Sequence, residues 1–76
     1  MMNKPSVGRI VHYVAYGTPG GEHPSTDRAA IITEVDNPDD DHSAVGLAVL
    51  NPTGFFFNQH VPFGTTGGHW HWPERV

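Results

Sequence analysis

Cysteine is absent from the 76 residues, so neither a disulfide framework nor a thiolate zinc cluster can hold the chain together. Positive charge is scarce: four Lys and Arg against eight Asp and Glu leave a formal net charge of -4. Each neutralised backbone phosphate needs a cation, which argues against polymeric DNA or RNA as a partner. No apolar run approaches the ~20 residues of a membrane span, and Met1 to Lys4 lead into patterned sequence without a secretory apolar segment. A soluble, cytoplasmic protein with no membrane partner is expected. A Gly-x-Ser-x-Gly elbow is missing, and Ser6, Ser25 and Ser43 fall in loop or terminal positions. Neither enzymatic activity nor a cofactor is expected.

What is abundant is turn chemistry. Nine glycines and seven prolines leave no segment long enough for an amphipathic helix of three turns, and the chain (1–76) reads as one small domain. Setting ~1.5 kcal/mol of ordering entropy per residue against ~25 cal/mol per Å² of apolar burial brings so short a chain close to zero net stability. A homo-oligomer is therefore expected.

Five short runs remain between the turns. Val7 to Tyr16 alternates Val7, Arg9, Val11 and Tyr13 with Ile10, His12, Val14 and Tyr16. A long polar loop from Gly17 to about Asp27 follows. The second run is Arg28 to Val35, ending at an acidic loop, Asp36 to Asp41, whose plain reading is a solvated turn. The third, Ala44 to Leu50, alternates Val45, Leu47 and Val49 with small Gly46 and Ala48, a sign of close backbone approach. Asn51-Pro52-Thr53-Gly54 has the residues of a compact hairpin turn. The fourth run, Gly54 to Val61, alternates Phe55, Phe57, Gln59 and Val61 with Phe56, Asn58 and His60, and the fifth is His69 to Trp72. This pattern predicts an all-β fold, a small five-stranded, partly open barrel of the Src-homology-3 type.

Six of the eight aromatic residues lie between Phe55 and Trp72. On the last strand the pleat puts Trp70 and Trp72 on one face and His69 and His71 on the other. The tryptophans and phenylalanines either form the core or line a ligand site or subunit interface. Three consecutive phenylalanines cannot share one face, so Phe56 points away from Phe55 and Phe57, and one side is covered or left exposed for a partner.

Three kinds of site are compatible with these residues. His69 and His71 could present two imidazoles to a metal, with His60 or His12 as a third ligand, but there is no thiolate or matching carboxylate near either, and no metal site is assigned. The Gly-rich stretches Gly17 to Gly21 and Gly64 to Gly68 could turn amides and the hydroxyls of Thr18, Thr65 and Thr66 toward a phosphate, completed by Arg9 and Arg28. Plain flexible turns are the alternative. Tyr13, Phe56, Trp70 and Trp72 would stack on a base, beside His69 and His71.

Val7-Gly8-Arg9-Ile10-Val11-His12-Tyr13, Arg28-Ala29-Ala30-Ile31-Ile32-Thr33-Glu34-Val35, Val49-Leu50-Asn51-Pro52-Thr53-Gly54 and Gly67-Gly68-His69-Trp70-His71-Trp72-Pro73-Glu74 together resemble a family of very short, mostly uncharacterised proteins of tailed phages and their bacterial hosts. The resemblance covers nearly the whole chain, and Trp-His-Trp-Pro-Glu is its most specific part. It implies a phage origin, a small β-fold and action in the host cytoplasm, and assigns no site. Such an origin favours a non-enzymatic protein that sequesters a small anionic, nucleotide-derived immune signal of the host. The alternatives are a structural or interaction module that binds a host or virion protein through its aromatic face, and a His-based metal-binding protein.

Overall fold

The computed structural model describes residues 4–16 and 26–73. The strands are β1 (Ile10–Val14), β2 (Asp27–Val35), β3 (Val45–Asn51), β4 (Gly54–Val61) and β5 (Trp70–His71), and no helix occurs among the described residues. They form one antiparallel sheet in the order β4-β3-β2-β1-β5. The all-β expectation holds, with five strands where five runs were read. The sheet is not closed into a barrel. The segment after β4 nevertheless reaches β5 through a parallel bridge between Phe63 and Trp70, with Trp70 N–H donating to the Pro62 carbonyl at 2.9 Å and Gly64 N–H to the Trp70 carbonyl at 2.9 Å.

The hairpin turn forms where expected, Asn51 pairing with Gly54 across Pro52 and Thr53. The first and last strands are shorter than the patterned runs Val7 to Tyr16 and His69 to Trp72. Gly8, at φ 94, turns the chain ahead of β1, although its N–H still donates to the Ile32 carbonyl at 2.8 Å. His69 precedes β5 and is held by its own loop, its N–H donating to the Thr66 carbonyl at 3.1 Å.

One face of the sheet carries the core: Val11 and Tyr13 from β1, Ala30 and Ile32 from β2, Val45, Leu47 and Val49 from β3, Val61 from β4 and Trp70 from β5. Val35, Phe63 and Trp72 pack against it, partly buried. The alternation expected along β4 does not survive to its end. Val61 was grouped with Phe55 and Phe57, yet it is buried while they are exposed. The cause is a bulge: Leu47 pairs with Asn58 but Val45 pairs with Val61, so Gly46 faces two residues on β4, and His60 there adopts φ 55. A matching irregularity on β2 separates Ile32 from Glu34 around Thr33 and lets Val35 reach the core side. Each bulge inserts one residue and reverses the inside-outside parity beyond it.

Gly46 sits between the two bulges. A Cβ there would lie 3.0 Å from Thr33 Oγ1 and 3.2 Å from Glu34 Cβ, so the close approach inferred from its small size is real.

Trp70 is the largest fully buried side chain. Its indole N–H donates to the Ser43 carbonyl at 3.0 Å, and its ring meets Phe63 and Trp72 edge-on, with centroids 4.9 and 5.4 Å away. Trp70→Ala should cost about 3–5 kcal/mol through the cavity it leaves. Trp70→Phe should cost less, about 1–3 kcal/mol, mainly from the Ser43 carbonyl left without its donor. Urea unfolding followed by far-UV circular dichroism measures both, and the ranking Ala worse than Phe worse than wild type is the expected result.

Candidate functional site

Opposite the core, the sheet presents a second face with two features of interest. Cross-strand pairing aligns its side chains in rows: Ile10, Ile31, Ala48 and Phe57 in one, and His71, His12, Ala29, Leu50 and Phe55 in the next. Ile10, Phe55 and Phe57 are 62%, 66% and 68% exposed, and Ile31 and Leu50 also reach the surface. Phe55 and Phe57 touch edge-on at 5.7 Å. These rows contain no Lys, Arg, Asp or Glu. Two adjacent, largely apolar exposed rows, bordered by Asp27 at the β5 end, have the pattern of an interaction surface.

The second feature lies at the β5 end of the same face. His12 pairs directly with His71, their rings edge-on with centroids 5.4 Å apart. Asp27, at the start of β2, reaches both: His12 Nδ1 is 3.4 Å from Oδ2 and His71 Nε2 is 3.2 Å from Oδ1. The ligand atoms of the three residues all lie within 4.8 Å of one another. His71 Nδ1 donates to the Trp72 carbonyl at 2.9 Å, which fixes the ring with Nε2 toward Asp27. His12 Nδ1 is buried and has no hydrogen-bond partner.

The residues expected to form a ligand site are spread over the molecule. Trp70 is wholly buried and Tyr13 nearly so, both as core. Phe56 faces the core side, edge-on to Tyr13 at 6.0 Å, while its neighbours Phe55 and Phe57, which were not singled out as site residues, take the outer face. Burial pushes the Tyr13 phenol pKa up, Tyr16 adds to this, and a hydrogen bond from Asn58 opposes it. Arg28 pairs with Tyr13, its Nε buried without a hydrogen-bond partner. Arg9 lies instead over the Trp72 ring, 4.8 Å from its centroid.

Thr18 and the Gly17 to Gly21 loop lie outside the described residues. In the second Gly-rich loop Thr65 and Thr66 are exposed, but two of the amides a phosphate would need are occupied, Gly64 N–H by the Trp70 carbonyl and Gly68 N–H by the Val14 carbonyl at 2.8 Å. His69 turns into this loop, its Nδ1 3.0 Å from the Thr66 carbonyl and 3.2 Å from that of Gly67. The imidazole that faces His71 is therefore that of His12 and not that of His69. The matching carboxylate, unseen in sequence, is Asp27. No pocket forms among the described residues, and no helix among them is long and apolar enough to cross a membrane. No family model, curated protein or solved structure matches the chain.

His60, on the bulge, donates to Asp36 Oδ2 from Nδ1 at 2.8 Å. That hydrogen bond and the carboxylate charge raise its pKa above the ordinary 6.5. A His whose folded pKa is raised contributes stability that is complete below its unfolded value and is lost as pH rises through the folded value. NMR titration should place the His60 midpoint above 6.5, and Asp36→Asn should return it toward 6.5.

Proposed function

We propose that this protein is a non-enzymatic interaction module of phage origin that acts in the host cytoplasm through the apolar outer face of its sheet, and that a second copy of the chain covers this face. The observation that carries the reading is the double row, free of Lys, Arg, Asp and Glu, from Ile10 and His12 to Phe55 and Phe57. Five strands about 4.8 Å apart and averaging about 20 Å in length offer roughly 400–500 Å² in plan. Two such faces stacked about 10 Å apart bury on the order of 1,000 Å² in total, near the lower limit for a stable interface.

A second copy suits the surface better than a charged partner. The rows provide no Lys, Arg, Asp or Glu to complement, whereas like rows pack against like. Burial of the rows also adds apolar area to a chain too short to be stabilised generously by its own core. The partly open barrel of Src-homology-3 type remains part of the proposal, supported by the pairing of the segment after β4 with β5.

Sedimentation at micromolar concentrations should give a dimer mass for the wild type. The double variant Phe55→Asp, Phe57→Asp should be a monomer with an unchanged far-UV spectrum. Burying each phenylalanine is worth ~1.5–3 kcal/mol, so the dimer should weaken at least about a hundredfold. A wild type that stays monomeric, or a double variant that stays dimeric, overturns the reading.

A second reading, sequestration of a small nucleotide-like anion, is favoured by one observation. Arg9 over the half-buried Trp72 ring sets a cation for phosphate beside an aromatic face for a base. Thermal-shift assays with cyclic dinucleotides and ADP-ribose should then show stabilisation that Trp72→Ala removes; no shift with any of them ends this reading.

A further inference from the structure

We infer that His12, Asp27 and His71 bind a divalent first-row transition-metal ion, coordinated by His12 Nδ1, an Asp27 carboxylate oxygen and His71 Nε2. Three neighbouring strands contribute one ligand each, β1, β2 and β5. The inference does not rest on the self-association proposed above, although His12 and His71 stand at the β5 end of one of its rows.

Hydrogen-bond accounting leads to it. A carbonyl only accepts, so the proton of the His71 bond to Trp72 sits on Nδ1, and Nε2 is left to face Asp27. A backbone carbonyl holding the far nitrogen is the usual support for a metal-bound imidazole. On the other side His12 Nδ1 is buried with no hydrogen-bond partner, turned to the same carboxylate. A proton on His71 Nε2 would satisfy Asp27 Oδ1 but would do nothing for His12 Nδ1. One ion at the centre serves all three groups.

The spacing agrees. With metal–ligand bonds of about 2.0–2.1 Å, two ligands of a tetrahedral ion lie about 3.3 Å apart. The two carboxylate–imidazole separations are 3.2 and 3.4 Å, and the widest separation in the set is no more than 4.8 Å, within reach of small side-chain rotations. Two imidazoles and one carboxylate suit Zn²⁺, Co²⁺, Ni²⁺ or Fe²⁺ and not the oxygen-seeking Mg²⁺ or Ca²⁺. Three protein ligands leave a coordination position for water.

The consequence for this chain is a cross-link. β5 is two residues long and meets β1 through only the His12–His71 and Tyr13–Trp70 pairs. An ion shared by β1, β2 and β5 would hold that strand in a chain with no cysteine to do so.

Calorimetric titration of the full chain with Zn²⁺ alone should show one saturable site per chain. His12→Gln, Asp27→Asn and His71→Gln should each weaken it at least about tenfold, while His42→Gln and His60→Gln leave it unchanged. Co²⁺ added to the unsubstituted protein should broaden amide resonances around residues 12, 27 and 71, a readout that requires no variant to fold. Binding should persist in the Phe55→Asp, Phe57→Asp chain, which keeps every ligand. Absence of saturable Zn²⁺ binding, equal loss in the His42 or His60 variants, or Co²⁺ broadening centred elsewhere overturns the inference.

Discussion

The structure depends on one indole. Trp70 is the largest side chain of a core otherwise made of Val, Leu, Ile, Ala and one Tyr, and its position is fixed from three directions. Its backbone pairs with Tyr13 on β1, its amide and carbonyl bond the segment after β4, and its ring nitrogen reaches the Ser43 carbonyl at the end of the β2–β3 loop. That loop is itself tied down, with Asp36 N–H on the Ala44 carbonyl and Asn37 N–H on Ser43 Oγ. A single residue, through its backbone and its ring together, thus connects the two edges of the sheet to the turn between β2 and β3. The acidic residues of the loop remain at the surface, while its Ser43 is the one buried polar residue among those described.

Among the described residues the sheet has one covered face and one open face. The segment from Pro62 to His69, with Phe63, is spent on the core side. The other side keeps Phe55, Phe57, Ile10, Ile31 and Leu50 open, and its polar chemistry is concentrated at the β5 end in His12, Asp27 and His71. The paired bulges around Gly46 belong to the same division of labour. They turn Val35 and Val61 inward near one end of the sheet, so the core row extends past the point where regular alternation would have exposed them.

Much of this was legible in sequence because turn residues punctuate the chain so heavily. The bounds of β4 and the Pro52–Thr53 hairpin follow from residue type, and so do the inward Val45, Leu47 and Val49 and the opposition of Phe56 to its neighbours. The bulges were not legible, since an inserted residue leaves the composition unaltered and shifts only what lies beyond it, which is why alternation grouped Val61 with Phe55 and Phe57. The Asp27 carboxylate escaped for a different reason. It lies far along the chain from His71 and meets it only through the register of β2 on β1 and of β1 on β5, a relation that spacing within one strand does not contain. His69, two residues from His71, appeared the better partner until the loop from Thr66 took its imidazole.

The pairing of residue 12 with residue 71 also sets the timetable of folding. Before that pair forms, β1 to β4 lack the indole that completes their core. Until then the hairpin phenylalanines and the future interior are exposed together, and closing so long a loop is entropically slow. A nascent chain in this state has hydrophobic surface on both sides of a single sheet, the condition under which chaperone capture competes most directly with aggregation.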